Sequence, residues 1–575
     1  MSIHGRKPQP SEGTTVSGGY TPSASDSVSD YVRPENSVAV DAISDQVVAE
    51  PPARFEPAHT GSISISNTQL LDIDIDQVVD RLLAAHPKEQ EQMSPTGEFD
   101  ADIVVIGSGP GGYVAAIRAA QLGARTVCIE RAAAEWGGTC LNWGCIPTKT
   151  LIASAERLHE VKDAGKMGVV INGDISFDFN KMMERKNKVV TTLRGGVSAL
   201  LKSNHIRSIV GEAMFVDANT IEIKGPDGKV ERVTTKNTII ATGSVPVMPP
   251  VPGLAKDPAD PRGVSTNGIW TSDEAVSAKE CPARIVVIGA GAVGLEFGFT
   301  FRSLGAEVDI IEIAPEILPT GDREIAGELR KSLKKQGIRI HVDSKVVGVT
   351  RKDGVNTVTV QTGDAEKTID CEVVLVGAGR KAFYDGLGLE TVGVTTTRRG
   401  IEVNDYLQTS VPNIYAIGDV TGKMLLAHLA SHMGIVAAEN IMGHAVKMDY
   451  RAVPAPIYTS PEVASVGLSE EEARAQGYDV ITGRFPLRPL GRAMALDVTE
   501  GLFKVVAERK YGELLGVHII GPYATEMIHE AVIAIKLEAT VEELMTTIHA
   551  HPTLSEAMGE AALDVKGEAI HKLKK

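Results

Sequence analysis

A thirty-residue pattern occurs twice in this chain. ADIVVIGSGPGGYVAAIRAAQLGARTVCIE begins at Ala101, and ARIVVIGAGAVGLEFGFTFRSLGAEVDIIE begins at Ala283. Each copy reads as a buried apolar strand, a glycine turn, a helix of small residues and a second strand. Such βαβ units require a parallel sheet covered by helices, so the fold class is α/β with an internal duplication. The glycines follow G-x-G-x-x-G: Gly107, Gly109 and Gly112, then Gly289, Gly291 and Gly294. The first glycine permits the tight turn and the second lets backbone approach a pyrophosphate. The third lets helix and strand pack closely, so that the helix N-terminus faces the phosphates. An acid ends each second strand, Glu130 and Glu312, where a carboxylate accepts hydrogen bonds from ribose hydroxyls. After Glu312 the stretch IAPEILP carries no Lys or Arg to pair a 2′-phosphate, which predicts NAD rather than NADP at the second site. Two such units imply two dinucleotides, such as a flavin and a nicotinamide.

Cysteine is used sparingly, five in 575 residues, yet Cys140 and Cys145 stand with only four residues between them in GGTCLNWGCIPTKTL. Pro147 is tolerated in a first helical turn but not in a helix interior. The pair is therefore expected at a helix start, where the dipole favours a thiolate. Gly144 relaxes the backbone between the two sulfurs. A zinc site would need a second ligand pair, which the sequence lacks. The reading is a redox-active disulfide, with no metal. Cys128, Cys281 and Cys371 read as small buried hydrophobes or bystanders.

The net charge of −16 argues against nucleic acid as a partner, and no uncharged apolar run is long enough to span a membrane. Residues 1–98 hold 15 acidic and 6 basic side chains, so −9 of that charge lies there. This segment reads as a disordered acidic extension with one possible short helix at 65–86. The first residues have no apolar core, so no secretory signal is expected, and a reducing, cytoplasmic location is.

The GGTCLNWGCIPTK stretch resembles the active-site motif of the flavin disulfide reductases, specifically the dihydrolipoamide dehydrogenases. These are the E3 components of 2-oxoacid dehydrogenase and glycine cleavage complexes. IIATGS at 239–244, YAIGDVTGKMLLAH at 415–428 and IHAHPTLSE at 548–556 extend the likeness from residue 100 to about 570. The resemblance implies two Rossmann-like dinucleotide-binding domains, for FAD and NAD, plus a C-terminal α+β dimerisation domain. The implied boundaries are 99–250 with 375–450 for FAD, 251–374 for NAD and 451–575 for the interface.

It further implies site roles. Gly107, Gly109, Gly112, Glu130, Thr139, Thr242, Gly243, Asp419 and Ala427 would contact FAD, with Ala213 offering a backbone contact where the family commonly has glycine. Lys149 would lie near the flavin and pair with Glu296. Gly289, Gly291, Gly294, Glu312, Val346 and Gly379 would hold NAD. His551 and Glu556 match the pair that one subunit donates to the other's site, which makes a homodimer the expected state. The expected partners are lipoyl domains and the E2 core of those complexes.

Trp143 departs from the small aliphatic residue usual between the cysteines. Glutathione and trypanothione reductases usually use NADPH, which Glu312 opposes. Mercuric reductases typically end in paired cysteines, and this chain ends in HKLKK. Transhydrogenases commonly lack the full cysteine pair. A scaffold that merely retains the fold would have no need of Cys140, Cys145, His551 and Glu556.

Overall fold

The computed structural model describes residues 98–256 and 265–573. The acidic extension and its possible helix at 65–86 lie outside the described residues, apart from Glu98.

The first βαβ unit builds a parallel sheet. Its strands run Arg207–Val210, Thr126–Glu130, Ala101–Ile106, Val230–Ile240 and Ile414–Ala416 in spatial order. All five residues of Thr126–Glu130 are buried, as a strand covered on both faces should be. Val230–Ile240 is long enough to serve twice. Its far end pairs antiparallel with Thr220–Lys224, which pairs with Glu212–Asp217.

The second unit repeats the arrangement. Arg339–His341, Glu307–Ile311, Arg284–Ile288, Val373–Val376 and Ile269–Trp270 form a second parallel sheet. A three-stranded antiparallel sheet of Ser344–Lys352, Val355–Thr362 and Ala365–Cys371 covers its side. Ser244–Pro246 and Arg380–Ala382 pair antiparallel where the chain leaves the first sheet and returns to it.

From residue 455 onward a five-stranded antiparallel sheet carries the helices Ala524–Lys536, Val541–Thr546 and Glu556–Val565. Lys504 ties this sheet to the second unit. It is almost fully buried, and its ammonium meets Asp322 at 2.7 Å, Glu470 at 3.0 Å and Glu324 at 3.2 Å. A buried cation persists only when it is paired this fully.

After the cysteine segment the chain forms two helices, Cys145–Asp163 and Phe179–Ser203. A 3-10 turn, Ala164–Met167, follows the first helix and closes on Gly168 in positive φ, and the Asp178 side chain caps the second by accepting from the Lys181 amide. The helix Val541–Thr546 ends where Thr547 turns extended and leads into the loop carrying His549 and His551.

The glycine turns are sterically locked. A Cβ at Gly112 would sit 1.8 Å from the Gly107 carbonyl oxygen, and one at Gly294 would sit 1.9 Å from that of Gly289. By contrast, Gly195 lies within Phe179–Ser203 with nothing near a Cβ. Gly112→Ala is therefore expected to cost about 3 kcal/mol or more, from overpacking against backbone that cannot move. Gly195→Ala is expected to stabilise by up to about 1 kcal/mol through helix propensity. Thermal unfolding of the two variants checks this. Equal effects would mean that the turn is not the constraint.

Candidate active site

The two glycine turns present the same geometry. Gly107 and Gly289 have φ of +101° and +100°, and their N–H groups donate to Ile129 and Ile311, both at 2.8 Å. The Glu130 carboxylate accepts from the Ser108 amide at 3.0 Å, and that of Glu312 accepts from the Ala290 amide at 2.7 Å. Both carboxylates are buried beside their turns.

Gly109 and Gly291 are the N-caps of the helices Pro110–Gln121 and Ala292–Ser303, and neither helix end has a side-chain cap. A Cβ at Gly291 would meet nothing within 4 Å. Each helix thus leaves uncapped N–H groups, open backbone and a carboxylate together, which fits the pyrophosphate and ribose of a dinucleotide.

The cysteine segment packs directly on the first turn. A Cβ at Gly138 would lie 2.5 Å from Gly109 Cα, and the Gly137 amide donates to Ser108 Oγ at 3.2 Å. Only Cys145 opens a long helix, Cys145–Asp163; Cys140 and Thr139 lie in the short helix Gly138–Asn142. A side chain at Gly144 would press on the Thr139 carbonyl oxygen at 3.1 Å and on Cys140 Cα at 3.2 Å. Both cysteines are free thiols in this structure. The Cys140 thiol donates to the Cys145 sulfur. That bond, aided by the Lys149 charge and opposed by burial, pulls Cys145 down to about 7 and pushes Cys140 up. The remaining cysteines are held as thiols by burial, Cys281 at about 11 and Cys371 at about 12, with Cys128 higher still.

One helical turn beyond Cys145, Lys149 Nζ donates to Glu296 Oε2 at 2.7 Å. Thr242 Oγ1 donates to the Phe383 carbonyl at 2.5 Å, and Gly243 beside it has φ of +73° with open space at its Cβ position. Gly379, φ +106°, is open in the same way. Asp419 is enclosed. Burial pushes its carboxyl up, against a 2.5 Å hydrogen bond from Ser244 Oγ and the Arg380 charge. Ala427 begins the helix Ala427–Ile441, which packs against Pro110–Gln121 through Gly434 and Gly111.

Two expected contacts are limited to backbone. The Val346 side chain belongs to an apolar core with Leu254, Ile311 and Val376. Ala213 lies in the strand Glu212–Asp217 and packs on the core beside Ile129 and Leu387.

His551 and Glu556 form a pair at 2.8 Å, the histidine Nδ1 toward Glu556 Oε1. Burial alone would raise Glu556, but the bonds from His551 and the Thr553 amide hold it below the ordinary carboxylate range. The His551 side chain is 77% exposed. Glu556 is its only hydrogen-bond partner among the described residues, so one chain by itself does not bring this pair to the cysteines.

Several residues escaped the motif reading. Ser108 bonds Glu130 through its hydroxyl at 2.7 Å. Asn142 donates to the carbonyls of Glu135, Trp136 and Gly138, and is itself gripped by Arg194 at 3.0 Å. Ser244 links Arg380 to Asp419. Each acts on backbone or on another side chain, and so follows no short pattern. Their position carried a signal all the same: Ser108 lies inside the first glycine turn, Asn142 between the two cysteines and Ser244 at the end of IIATGS.

Residues 101–434 match the model of the pyridine nucleotide-disulphide oxidoreductases, more than half of the chain. The chain belongs to this family. Residues 453–562 match the family's dimerisation domain. Similar proteins include the dihydrolipoyl dehydrogenase of Geobacillus stearothermophilus, 44% identical over 83% of this chain and 98% of that protein. Another is that of Thermus scotoductus, 45% identical over 82% and 98%. The mitochondrial enzyme of Sus scrofa is 42% identical over 82% and 92%. Among solved structures, the Cu(II) complex of the HOCl-induced flavoprotein disulfide reductase RclA from Escherichia coli is 28% identical. It has a TM-score of 0.71, covering 80% of this chain and 98% of that one. Among the described residues, no helix is long and apolar enough to cross a membrane, and no three His, Cys, Asp or Glu side chains are grouped to hold a metal ion.

Proposed function

We propose that this chain is a dihydrolipoyl dehydrogenase, working as a homodimer that oxidises protein-bound dihydrolipoamide through Cys140 and Cys145, FAD and NAD. The observation that carries the reading is the cysteine pair, with its Lys149–Glu296 ion pair one turn on, packed against an uncapped dinucleotide turn. The kinship with dihydrolipoyl dehydrogenases over nearly their whole length supports it.

We assign residues 99–250 and 375–450 to FAD, 251–374 to NAD and 451–575 to the dimer interface. Gly107, Gly109, Gly112, Glu130, Thr139, Thr242, Gly243, Asp419 and Ala427 would hold FAD, with Ala213 contributing backbone only. Gly289, Gly291, Gly294, Glu312, Val346 and Gly379 would hold NAD. When bound, FAD supplies a two-electron carrier between the dithiol and NAD, which takes hydride.

The chain's own residues do the sulfur chemistry. With Nδ1–H committed to Glu556, the neutral His551 ring offers Nε2 as a base. It takes the proton of one substrate thiol, and Glu556 stabilises the resulting imidazolium. The substrate thiolate attacks the Cys140 sulfur of the oxidised pair, forming a mixed disulfide and releasing Cys145 as a thiolate. The second substrate thiol then attacks the substrate sulfur of that mixed disulfide. Lipoamide leaves, and both cysteines are reduced. Lys149 stabilises the Cys145 thiolate, and Glu296 holds Lys149 in place.

The proposed partners are lipoyl domains and the E2 core of 2-oxoacid dehydrogenase complexes, or the lipoyl carrier of glycine cleavage. A reducing cytoplasm suits a dithiol that must cycle, and is the compartment we propose.

Anaerobic titration with dihydrolipoamide, followed by NAD, tests the reading. A flavin spectrum that gains long-wavelength thiolate absorbance and then yields NADH is expected. A flavin that responds only to NADPH would move the protein to the glutathione-type reductases.

The cofactor preference makes a separate prediction. Buried Glu312, with no basic residue after it, should weaken NADP relative to NAD on the order of 10²-fold through like-charge repulsion. Glu312→Ala should shrink that ratio severalfold. Steady-state kinetics with both nucleotides decide it, and an unchanged ratio would remove Glu312 from the specificity role.

A further inference from the structure

Tyr458 closes around the Lys149–Glu296 pair. It follows the strand Ala455–Ile457, more than 300 residues from the cysteines in sequence. Its backbone N–H donates to Glu296 Oε1 at 3.0 Å, while Lys149 Nζ holds Oε2 at 2.7 Å. Both oxygens of a carboxylate only 4% exposed are thereby taken. The Tyr458 ring faces the same ammonium, with Lys149 Nζ 4.6 Å from its centroid. The ring itself is braced: it packs against the apolar core of the second unit, and Thr525 bonds its hydroxyl. Thr525 is in turn anchored, amide and hydroxyl, to Glu462 at 2.9 and 2.8 Å.

A lysine ammonium is a strongly hydrated charge on a flexible stem, and one ion pair leaves it freedom to turn toward water. Here Glu296 holds it from one direction and an aromatic face from another, an arrangement that attracts a cation most when it is partly desolvated. Lys149 is also the cation nearest in sequence to Cys145, and its charge favours the Cys145 thiolate.

We propose that Tyr458 is a positioning residue for the redox pair, its ring face keeping the Lys149 ammonium directed at Cys145 so that this sulfur is held as a thiolate. The inference rests on the reading of Cys140–Cys145 as the pair beside the flavin. It goes beyond that reading by placing control of the thiol in the C-terminal segment.

The test uses full-length, flavin-loaded protein carrying Cys140→Ser, which leaves Cys145 as the single thiol of the pair. Its long-wavelength thiolate absorbance is titrated with pH. Adding Tyr458→Leu should raise the apparent pKa of that band by about 1 unit, the lower end of what a displaced neighbouring charge produces. Adding Tyr458→Phe, which keeps the ring and loses only the hydroxyl, should leave it where it was. Where the leucine variant does not fold, Tyr458→Met makes the same comparison. A band that titrates identically with and without the aromatic ring would overturn the inference and leave the site reading intact. A phenylalanine shift as large as the leucine shift would overturn it too, by assigning the effect to the hydroxyl. No band in any of the proteins would overturn the site reading and this inference together.

Discussion

Turnover of dihydrolipoamide is expected to fall on the order of 10³-fold or more in Cys145→Ser, with folding and flavin content retained. Serine is nearly isosteric, so the packing at the start of the helix Cys145–Asp163 has no reason to change. What is lost is chemical: a hydroxyl cannot form the disulfide with Cys140, nor ionise near neutral pH. In the present geometry the Cys145 thiol is drawn down to about 7, first by the hydrogen bond from Cys140 and then by Lys149, against the cost of burial. The direction of the pH effect follows. The thiolate is present above pH ~7 and is lost as the pH falls through that value, so the long-wavelength band of the reduced wild-type protein should fade in acid. Steady-state assays of Cys145→Ser check the first part, and a pH titration of the reduced wild-type visible spectrum checks the second. Residual turnover within tenfold of wild type would exclude Cys145 from the reaction.

The second large effect belongs to His551. Replacement by alanine should lower kcat by about 10²–10⁴-fold, the usual worth of a positioned general base. Glu556→Gln should cost less, since the imidazole remains and loses only its orienting carboxylate. A sharper result concerns where the base acts. His551 is exposed and, among the described residues, hydrogen-bonded only to Glu556, while the cysteines sit on the first dinucleotide unit. If a second copy supplies the base, two inactive variants can repair each other. Random mixing of His551→Ala with Cys145→Ser makes half of all dimers hybrid, and each hybrid has one complete site. About a quarter of wild-type activity should return. Refolded mixtures measured against each variant alone decide it, and no recovery would mean that His551 serves cysteines in its own chain.

The sequence was most readable where chemistry and backbone geometry depend on the same residues. Gly107 and Gly112 could be assigned before any coordinates, because a side chain at Gly112 would collide with the Gly107 carbonyl. Lys149 and Glu296 were paired by resemblance, and they meet at 2.7 Å across 147 positions of sequence. The sequence was silent at Arg194 and Tyr458, whose partners Asn142 and Glu296 lie far away in the chain.

The amino-acid sequence by itself determined the duplicated α/β plan, the two dinucleotide turns with their acidic strand ends and the thiol pair, while the His–Glu pair came from the resemblance. Each is a local arrangement in which neighbouring residues carry the whole physical requirement: a turn, a cap, a strand end, a helix start. Tertiary structure alone decided how the thiols are tuned. The Cys145 thiolate depends on the Cys140 hydrogen bond and on a lysine held between Glu296 of the second unit and Tyr458 of the C-terminal segment. Electrostatic influence depends on distance and burial, not on separation along the chain, so folding had to bring these groups together before their effect on the sulfur existed.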